Sequence, residues 1–388
     1  MATTKMNLEG AVKSRYSRAA AEQERALCCP VDYDPQYLSV IPDEILERDY
    51  GCGDPSKHLH AGETVLDLGS GGGKICYIAS QVVGPEGRVI GVDMNDDMLS
   101  LARKYRQSVG DLLGYHNVEF RKGKIQDLAL DQERLEAHLE SHPVRTVEEL
   151  AAVGLWQEKE RRENPMIPTA SIDVVVSNCV LNLVEPESKT QLFREMHRVL
   201  KKGGRVVISD IVSDEDVPGR LQADPELWSG CISGAFREDL FLKAFEDAGF
   251  YGIEILGRDD KPWQIVEGIE FRALTVRAFK GKEGPCLERN QAVIYRGPWR
   301  SVTDDDGHTL FRGRRMAVCD KTFNIYQSEP YAADIQTVEP YENVPLSGAA
   351  PFDCRKDAVR HARETKGLDY DVTVTTDAPC CGPDGNCC

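Results

Sequence analysis

The sequence predicts an α/β fold, a mainly parallel sheet with helices on both faces, followed by a smaller C-terminal α+β domain. Short β-branched runs alternate with helical stretches from Thr64 to Lys280, which is how strands buried on both faces read. A glycine turn, LGSGGGK, joins the first such strand to the first such helix, and open α/β sheets receive their ligands at that kind of junction. After about Glu283 the pattern changes to short strands with turn signals, among them Asp306-Gly307, a good hairpin dipeptide.

Each element has its own local reason. Residues 1–60 carry weak periodicity and turn formers at Cys29-Pro30, Asp34-Pro35, Ile41-Pro42 and Asp54-Pro55, and they read as an arm or lid with short helices. The core domain is assigned to 61–282. Its first strand runs to Leu68 and its first helix is entered at Lys74; a second strand covers Arg88 to Val92. The next helix is capped by Asn95, with Asp96 and Asp97 in its first turn, where acids suit the helix dipole. VEFRKGKIQDL reads as a third strand, and residues from about Gln132 to Asn164 as an acidic helical insert. A fourth strand has Val176 as its last apolar residue. The following helix is expected to stop at Gly203 and Gly204, before a fifth strand, RVVISDIVS. A helix in EDLFLKAFEDAGF and strands in YGIEILGR and FRALTVRAFK finish the sheet. Residues 283–379 form the small domain and 380–388 a cysteine-rich tail.

The chain has 388 residues, a formal net charge of −17 and a pI near 5.0. No basic face is available for nucleic acid or an anionic membrane, and no run approaches the apolar length of a bilayer span. A cytoplasmic protein is expected. A monomer is expected too, because no long apolar stripe lacks an assigned face. The 13 cysteines are too dispersed for a disulfide scaffold and suit a reducing compartment with metal-binding or catalytic thiols.

Gly69, Gly71 and Gly73 let a ligand approach main-chain N–H groups at a helix start. Asp93 ends the second strand, where a carboxylate can accept from ribose hydroxyls. Together they indicate a nucleoside cofactor without saying which, the alternative being a turn kept for packing. The dinucleotide fingerprint would need glycine where Lys74 stands. The alternating G-x-G-x-G, with Asp67 two residues upstream, instead resembles motif I of class I S-adenosylmethionine-dependent methyltransferases. That resemblance implies a Rossmann-like class I methyltransferase sheet. It puts Asp67, Ser70 and the glycines toward the methionine portion, Asp93 at the ribose and Met94 and Ile125 beside the adenine, with Asn178 completing the cofactor set.

Two cysteines sit on bare backbone, Cys52 in YGCGDP and Cys231 in SGCISG. Cys76 lies in the first turn of a helix, where thiolate is favoured, and Cys179 just past the fourth strand. Both are expected to open toward the cofactor crevice, with Cys52 and Cys231 folding over it. Thiolates select soft centres. The four lack the paired spacing of structural zinc motifs, whereas trivalent arsenic, bound by up to three thiolates with its lone pair outward, fits a site facing an electrophilic methyl group.

YGCG, GGGKICY, SNCVLNLV and WSGCISGA, in this order around the glycine loop, closely resemble the arsenite methyltransferases. The resemblance implies methylation of arsenite and methylarsenite by S-adenosylmethionine, in arsenic detoxification. It further implies that Cys179 and Cys231 bind the trivalent arsenical, that Cys52 and Cys76 complete the first ligand set, and that Cys52 and Cys76 can pair as a disulfide reduced by glutathione or thioredoxin. The competing readings are a methyltransferase for a small organic substrate and a protein sequestering soft metals through Cys28-Cys29, Cys380-Cys381 and Cys387-Cys388. Cys286, Cys319 and Cys354 read as packing residues, and Trp228 as core or as a wall of the arsenic pocket.

Overall fold

The computed structural model describes residues 8–24, 27, 31–354 and 357–366. The Cys28-Cys29 pair and the tail pairs lie outside them. The chain divides into two units, Met1–Gly281 and Lys282–Cys388.

The first unit begins with α1 (Leu8–Ala21) and two one-turn helices, α2 (Pro35–Leu38) and α3 (Asp43–Leu46). Then come β1 (Thr64–Leu68), α4 (Lys74–Val83), β2 (Arg88–Asp93), α5 (Asp96–Lys104), α6 (Arg106–Leu113) and β3 (Val118–Lys122). The insert forms α7 (Gln132–Ser141) and α8 (Val147–Glu163), followed by β4 (Ile172–Asn178), α9 (Pro186–Val199) and β5 (Leu200–Ser213). Short helices α10 (Gly219–Gln222) and α11 (Pro225–Ser229) precede β6 (Phe236–Arg237), α12 (Glu238–Asp247), β7 (Tyr251–Arg258), β8 (Gln264–Val266) and β9 (Ile269–Phe279).

The main path of the sheet runs β3-β2-β1-β4-β5-β9-β7. From β3 to β5 the pairs are parallel, and β9 enters antiparallel between β5 and β7. The side-chain period of two divides each central strand between two cores. Leu66, Leu68, Ile90, Val92, Val175 and Ile208 face one cluster, while Val65, Val89, Val174, Val176 and Val207 face the other. Each such aliphatic contributes about 1.5–3 kcal/mol on burial, and a register slip of one residue would exchange the two sets. This is the class I methyltransferase sheet.

Local chemistry shifts three expected boundaries. The helix before the fifth strand ends at Val199, because Leu200 turns extended (ψ 139°), pairs with Ile172 and is fully buried; β5 therefore starts before Gly203. The third strand stops at Lys122, opposite Asp93, where its partner β2 ends; the loop beyond it carries Ile125. The insert is two helices, broken at Pro143 and restarted by a capping box in which Thr146 and Glu149 satisfy each other's amides.

The second unit has a three-stranded antiparallel sheet, with β10 (Ala292–Tyr295) between β13 (Arg315–Ala317) and β14 (Ile335–Val338). A hairpin joins β11 (Ser301–Thr303) to β12 (Thr309–Phe311), with Gly307 at φ +81° in its turn. Val293, Met316, Val318 and Phe323 fill its core, with α13 (Asp320–Tyr326) beside it and α14 (Ala362–Lys366) after it. No described helix is long and apolar enough to cross a membrane.

At one face of the first unit Phe245 is fully buried, with ring centroids of Phe193, Phe241 and Phe250 at 4.8, 5.3 and 5.8 Å. Phe245→Ala is expected to cost about 3–5 kcal/mol, read as a lower urea midpoint for this unit; a change below about 0.5 kcal/mol would mean the cluster does not hold α12.

Candidate active site

A cavity of about 300 Å³ opens at the carboxyl ends of β1, β2 and β4, the crevice that a parallel sheet offers to ligands. Its floor is the glycine turn. Gly71 has φ +49° and no atom within 4 Å of where its Cβ would be, so the backbone itself faces the space. The Asp93 carboxylate accepts from the Gly71 and Asn95 amides at 2.9 and 2.8 Å. Met94, Ile125, Asn178, Asp67, Gly69 and Ser70 also line the cavity.

Gly73 does not line it. It caps α4 at φ +88°, and a Cβ there would meet the Phe120 ring at 2.7 Å, so close packing requires a glycine at this position.

Two observations fit an S-adenosylmethionine-like group. The Ser70 hydroxyl is buried without a hydrogen-bond partner beside the cavity. Asp67 is buried, and its carboxyl is pushed up to about 7, first by that burial and also by Asp93 and Asp49. A sulfonium would supply the positive charge that such a carboxyl lacks.

The thiols separate into two groups. Cys52, Cys179 and Cys231 belong to one buried cluster with Ile211, Ile232 and Phe271. Cys179 lines the cavity. Cys179 and Cys231 both have left-handed backbone, φ +61° and +62°, a conformation that costs a non-glycine residue of the order of 1–3 kcal/mol and concentrates at functional sites. The Cys231 thiol donates to the Cys179 carbonyl at 3.0 Å. The three thiols are not gathered as a closed metal site; among the described residues the acidic, histidine or cysteine group close enough to share an ion is Asp304, Asp306 and His308, with ligand atoms within 4.8 Å of one another.

Cys76 is elsewhere, and the expectation that it opens to the crevice is corrected. At the third position of α4 its side chain turns under the glycine loop into a separate core cluster, with Val65, Val89 and Val176, where it is fully buried. Its thiol donates to Asp67 at 3.2 Å. Burial first, then Asp67, pushes the thiol well above its usual range; these outweigh the helix N-terminus that the sequence reading relied on. None of the seven described cysteines is in a disulfide.

The glycines around Cys52 have a geometric cause. The Asn178 carboxamide accepts from the amides of Cys52 and Gly53 at 2.8 and 3.1 Å and donates to the Gly53 carbonyl at 2.6 Å. A Cβ on Gly51 would lie 2.2 Å from the Asn178 amide nitrogen, and one on Gly53 would lie 2.6 Å from the Ser209 hydroxyl. The thiol is thus carried on backbone pressed against Asn178 at the end of β4 and against Ser209 within β5.

The Cys231 segment is held from below. Asn182 donates to the Cys231 carbonyl at 3.3 Å and to Asp210 at 2.8 Å. Asp210 is pushed up to about 6 by burial, against hydrogen bonds from the Ile211 and Leu181 amides. Lys189, its amine lowered to about 8 by burial, donates to the Gly234 carbonyl at 2.5 Å. Trp228 is fully buried, with its indole N–H on the Leu183 carbonyl at 3.3 Å; it does not line the cavity.

Sequence reading missed two contributors. Lys74 pairs with Asp49 at 2.8 Å and stands 3.6 Å over the Tyr33 ring, tying the glycine loop to the arm; its place immediately after the last glycine was the available signal. Helix α1 supplies Glu9, Val12, Lys13 and Tyr16 to the cavity wall, and its weak apolar periodicity concealed it. Among the remaining cysteines, Cys319 is buried with Cys286 as a neighbour, while Cys354 is exposed; Cys354 is therefore no packing residue.

Comparison with known proteins bears on this geometry. A methyltransferase domain family matches residues 59–142 and 156–249, and a domain family of unknown function matches 282–370. An arsenite methyltransferase of Aquipseudomonas alcaligenes is 31% identical over 337 residues, 82% of this chain and 86% of that protein. The arsenite methyltransferase of Homo sapiens is 27% identical over 90% of this chain and 88% of its own length. The crystal structure of CrArsM, an arsenic(III) S-adenosylmethionine methyltransferase from Chlamydomonas reinhardtii, superposes with a TM-score of 0.54 at 26% identity, covering 84% of this chain and all of that one. With the sheet, the cavity and the thiol cluster, these likenesses give one assignment: the chain belongs to the arsenite methyltransferase family.

Proposed function

We propose that this protein methylates trivalent arsenic with S-adenosylmethionine, and that Cys52, Cys179 and Cys231 are the thiols that hold the arsenical. The observation that carries the reading is a three-cysteine cluster at the end of a nucleoside-sized cavity, with two of the three on strained backbone. When bound, S-adenosylmethionine supplies an electrophilic methyl group. Asp67, Ser70 and Gly71 would hold its methionine end and Asp93 its ribose, with Met94 and Ile125 beside the adenine.

The thiols replace hydroxyls on arsenite and keep its lone pair available. The nucleophile is that lone pair, so the site needs no general base; position and alignment carry the acceleration. Cys179, at the cavity wall, fixes the arsenical on the cofactor side. Cys231 must exchange its hydrogen bond to the Cys179 carbonyl for arsenic, and Cys52 arrives on a glycine-flanked segment.

Each transfer takes arsenic formally from +3 to +5, so two electrons return from thiols. Glutathione or thioredoxin is the proposed donor and the cytoplasm the proposed setting, where both keep thiols reduced.

The defining assay is arsenic speciation after incubation with arsenite, S-adenosylmethionine and a thiol reductant. Methylated arsenic is expected from the wild type, and at least about 100-fold less from Cys179→Ser and Cys231→Ser, a loss of about 2.7 kcal/mol in transition-state stabilisation. Cofactor binding without methylated arsenic would move the assignment to an organic substrate. For Cys76→Ala, arsenite affinity within about twofold of wild type is expected, a change too small to report loss of a ligand; a tenfold loss would return Cys76 to the ligand set.

Asp67 allows a test by charge. A cation binds its ionised form, so with the free carboxyl near 7 the affinity for S-adenosylmethionine should rise with pH, by roughly tenfold from about pH 6 to about pH 8. S-adenosylhomocysteine, which lacks the sulfonium charge, should change by less than about twofold in calorimetry over that range, and Asp67→Asn should flatten the first curve. Parallel curves for the two ligands would show that Asp67 does not sense the sulfonium.

A further inference from the structure

Helix α1 buries few apolar side chains, only Val12, Ala19 and Ala20, so it does not dock as an ordinary amphipathic helix. Polar contacts attach it in two directions, as expected of a helix that bridges other parts.

Toward the cofactor cavity, Asn95, which caps α5 beside Asp93, donates to the Lys13 carbonyl and the Ser17 hydroxyl, both at 3.1 Å. Lys124, next to Ile125, pairs with Glu9 at 2.8 Å. Toward the thiols, Arg15 donates to the Glu226 carbonyl at 2.9 Å and to the Ser229 hydroxyl at 3.2 Å, at the start of the Cys231 segment. The Tyr16 hydroxyl lies 3.8 Å from the Cys231 sulfur. The Tyr16 ring also stands edge-on to Tyr50, 6.2 Å between centroids, two residues before Cys52.

The hydrogen-bond directions matter. Cys231 has one S–H, and it points to the Cys179 carbonyl at 3.0 Å. The Tyr16 hydroxyl is therefore the donor in its contact with the sulfur. When arsenic replaces the thiol hydrogen, the bond to the Cys179 carbonyl is lost, and the hydroxyl remains as a donor aimed at a more electron-rich sulfur, where it is stronger.

We propose that α1 couples the cofactor cavity to the arsenic-binding thiols, with Tyr16 as the positioning residue whose hydroxyl orients the Cys231 sulfur for its ligand. The proposal rests on Cys231 as an arsenic ligand. A ligand that orders Asn95 and the Ile125 loop orders α1, and through it Arg15 and Tyr16; the thiols then bind with less conformational cost. By linkage, arsenite tightens cofactor binding by the same factor.

The test is equilibrium dialysis of arsenite with elemental mass detection, with and without saturating S-adenosylhomocysteine. That ligand fills the cavity without a transferable methyl, so the readout is independent of turnover. Wild type is expected to bind arsenite about five- to tenfold more tightly with the cavity filled. In Tyr16→Phe, which keeps the ring at the cavity wall, that enhancement should fall below about twofold when S-adenosylhomocysteine is raised to saturate the variant. Arg15→Met, which cuts the ties to Glu226 and Ser229, should lose the enhancement in the same way.

An undiminished enhancement in Tyr16→Phe overturns the assignment of Tyr16. Equal loss of affinity for both ligands in that variant also overturns it, since the residue would then be merely structural. A wild type that binds S-adenosylhomocysteine but not arsenite overturns the arsenic reading itself, and this proposal with it.

Discussion

Asn178 is the joint on which the candidate site depends. It stands at the end of β4, and its carboxamide takes the backbone of Cys52 and Gly53 in three hydrogen bonds while lining the cavity. The next residue turns to left-handed φ and offers its amide to the Ser209 carbonyl at 2.8 Å, which sets Cys179 at the cavity wall. One strand end therefore serves the arm, the cavity and the thiol cluster. Such a contact fixes geometry more than it adds stability, because each hydrogen bond of a half-buried carboxamide contributes only about 0.5–1.5 kcal/mol net. The flanking glycines follow from it, since side chains at 51 or 53 would occupy the volume of Asn178 or Ser209.

Buried acids form a second layer beneath this joint. Asp67 and Asp210 stand on β1 and β5, the two strands that flank β4, both deeply buried and both raised toward neutrality by that burial. Their partners differ. Asp210 is given donors from the protein, the amides of Leu181 and Ile211 and the side chain of Asn182, so it acts as a fixed anchor for the Cys231 segment. Asp67 receives one weak thiol donor and faces the cavity. An acid left short of partners at a cavity is suited to a ligand that brings positive charge.

The same helix-end and strand-end rules, applied to the cysteines, gave different outcomes because they speak to position along the chain and not to side-chain direction. Cys179 follows a strand end and lines the crevice. Cys76 also lies near that end, in the first turn of α4, but the helix faces its thiol inward, under the glycine loop and against Gly91. Gly73 shows the same limit: its glycine was read from the loop pattern, yet its reason is the Phe120 ring, contributed by β3 some fifty residues later. Helix α1 was hard to read for the opposite cause. Its partners, Asn95, Lys124, Glu226 and Cys231, are remote in the chain, and polar side chains carry no periodicity that announces them.

By itself the sequence determined the alternation of strands and helices, the end of the sheet at which the cavity opens, the glycine turn and the Asp93 strand end that line it, and the soft character of the thiol set. Those follow from local rules: β-branched runs, glycine turns, capping residues and the preference of sulfur for soft centres. Tertiary structure alone decided that Cys52, Cys179 and Cys231 share a cluster while Cys76 does not, that Asn178 grips the Cys52 loop, and that α1 reaches both cavity and thiols. Each of these depends on which faces meet after the sheet closes, and residues 52 to 215 positions apart hold no trace of that meeting in their own neighbourhoods.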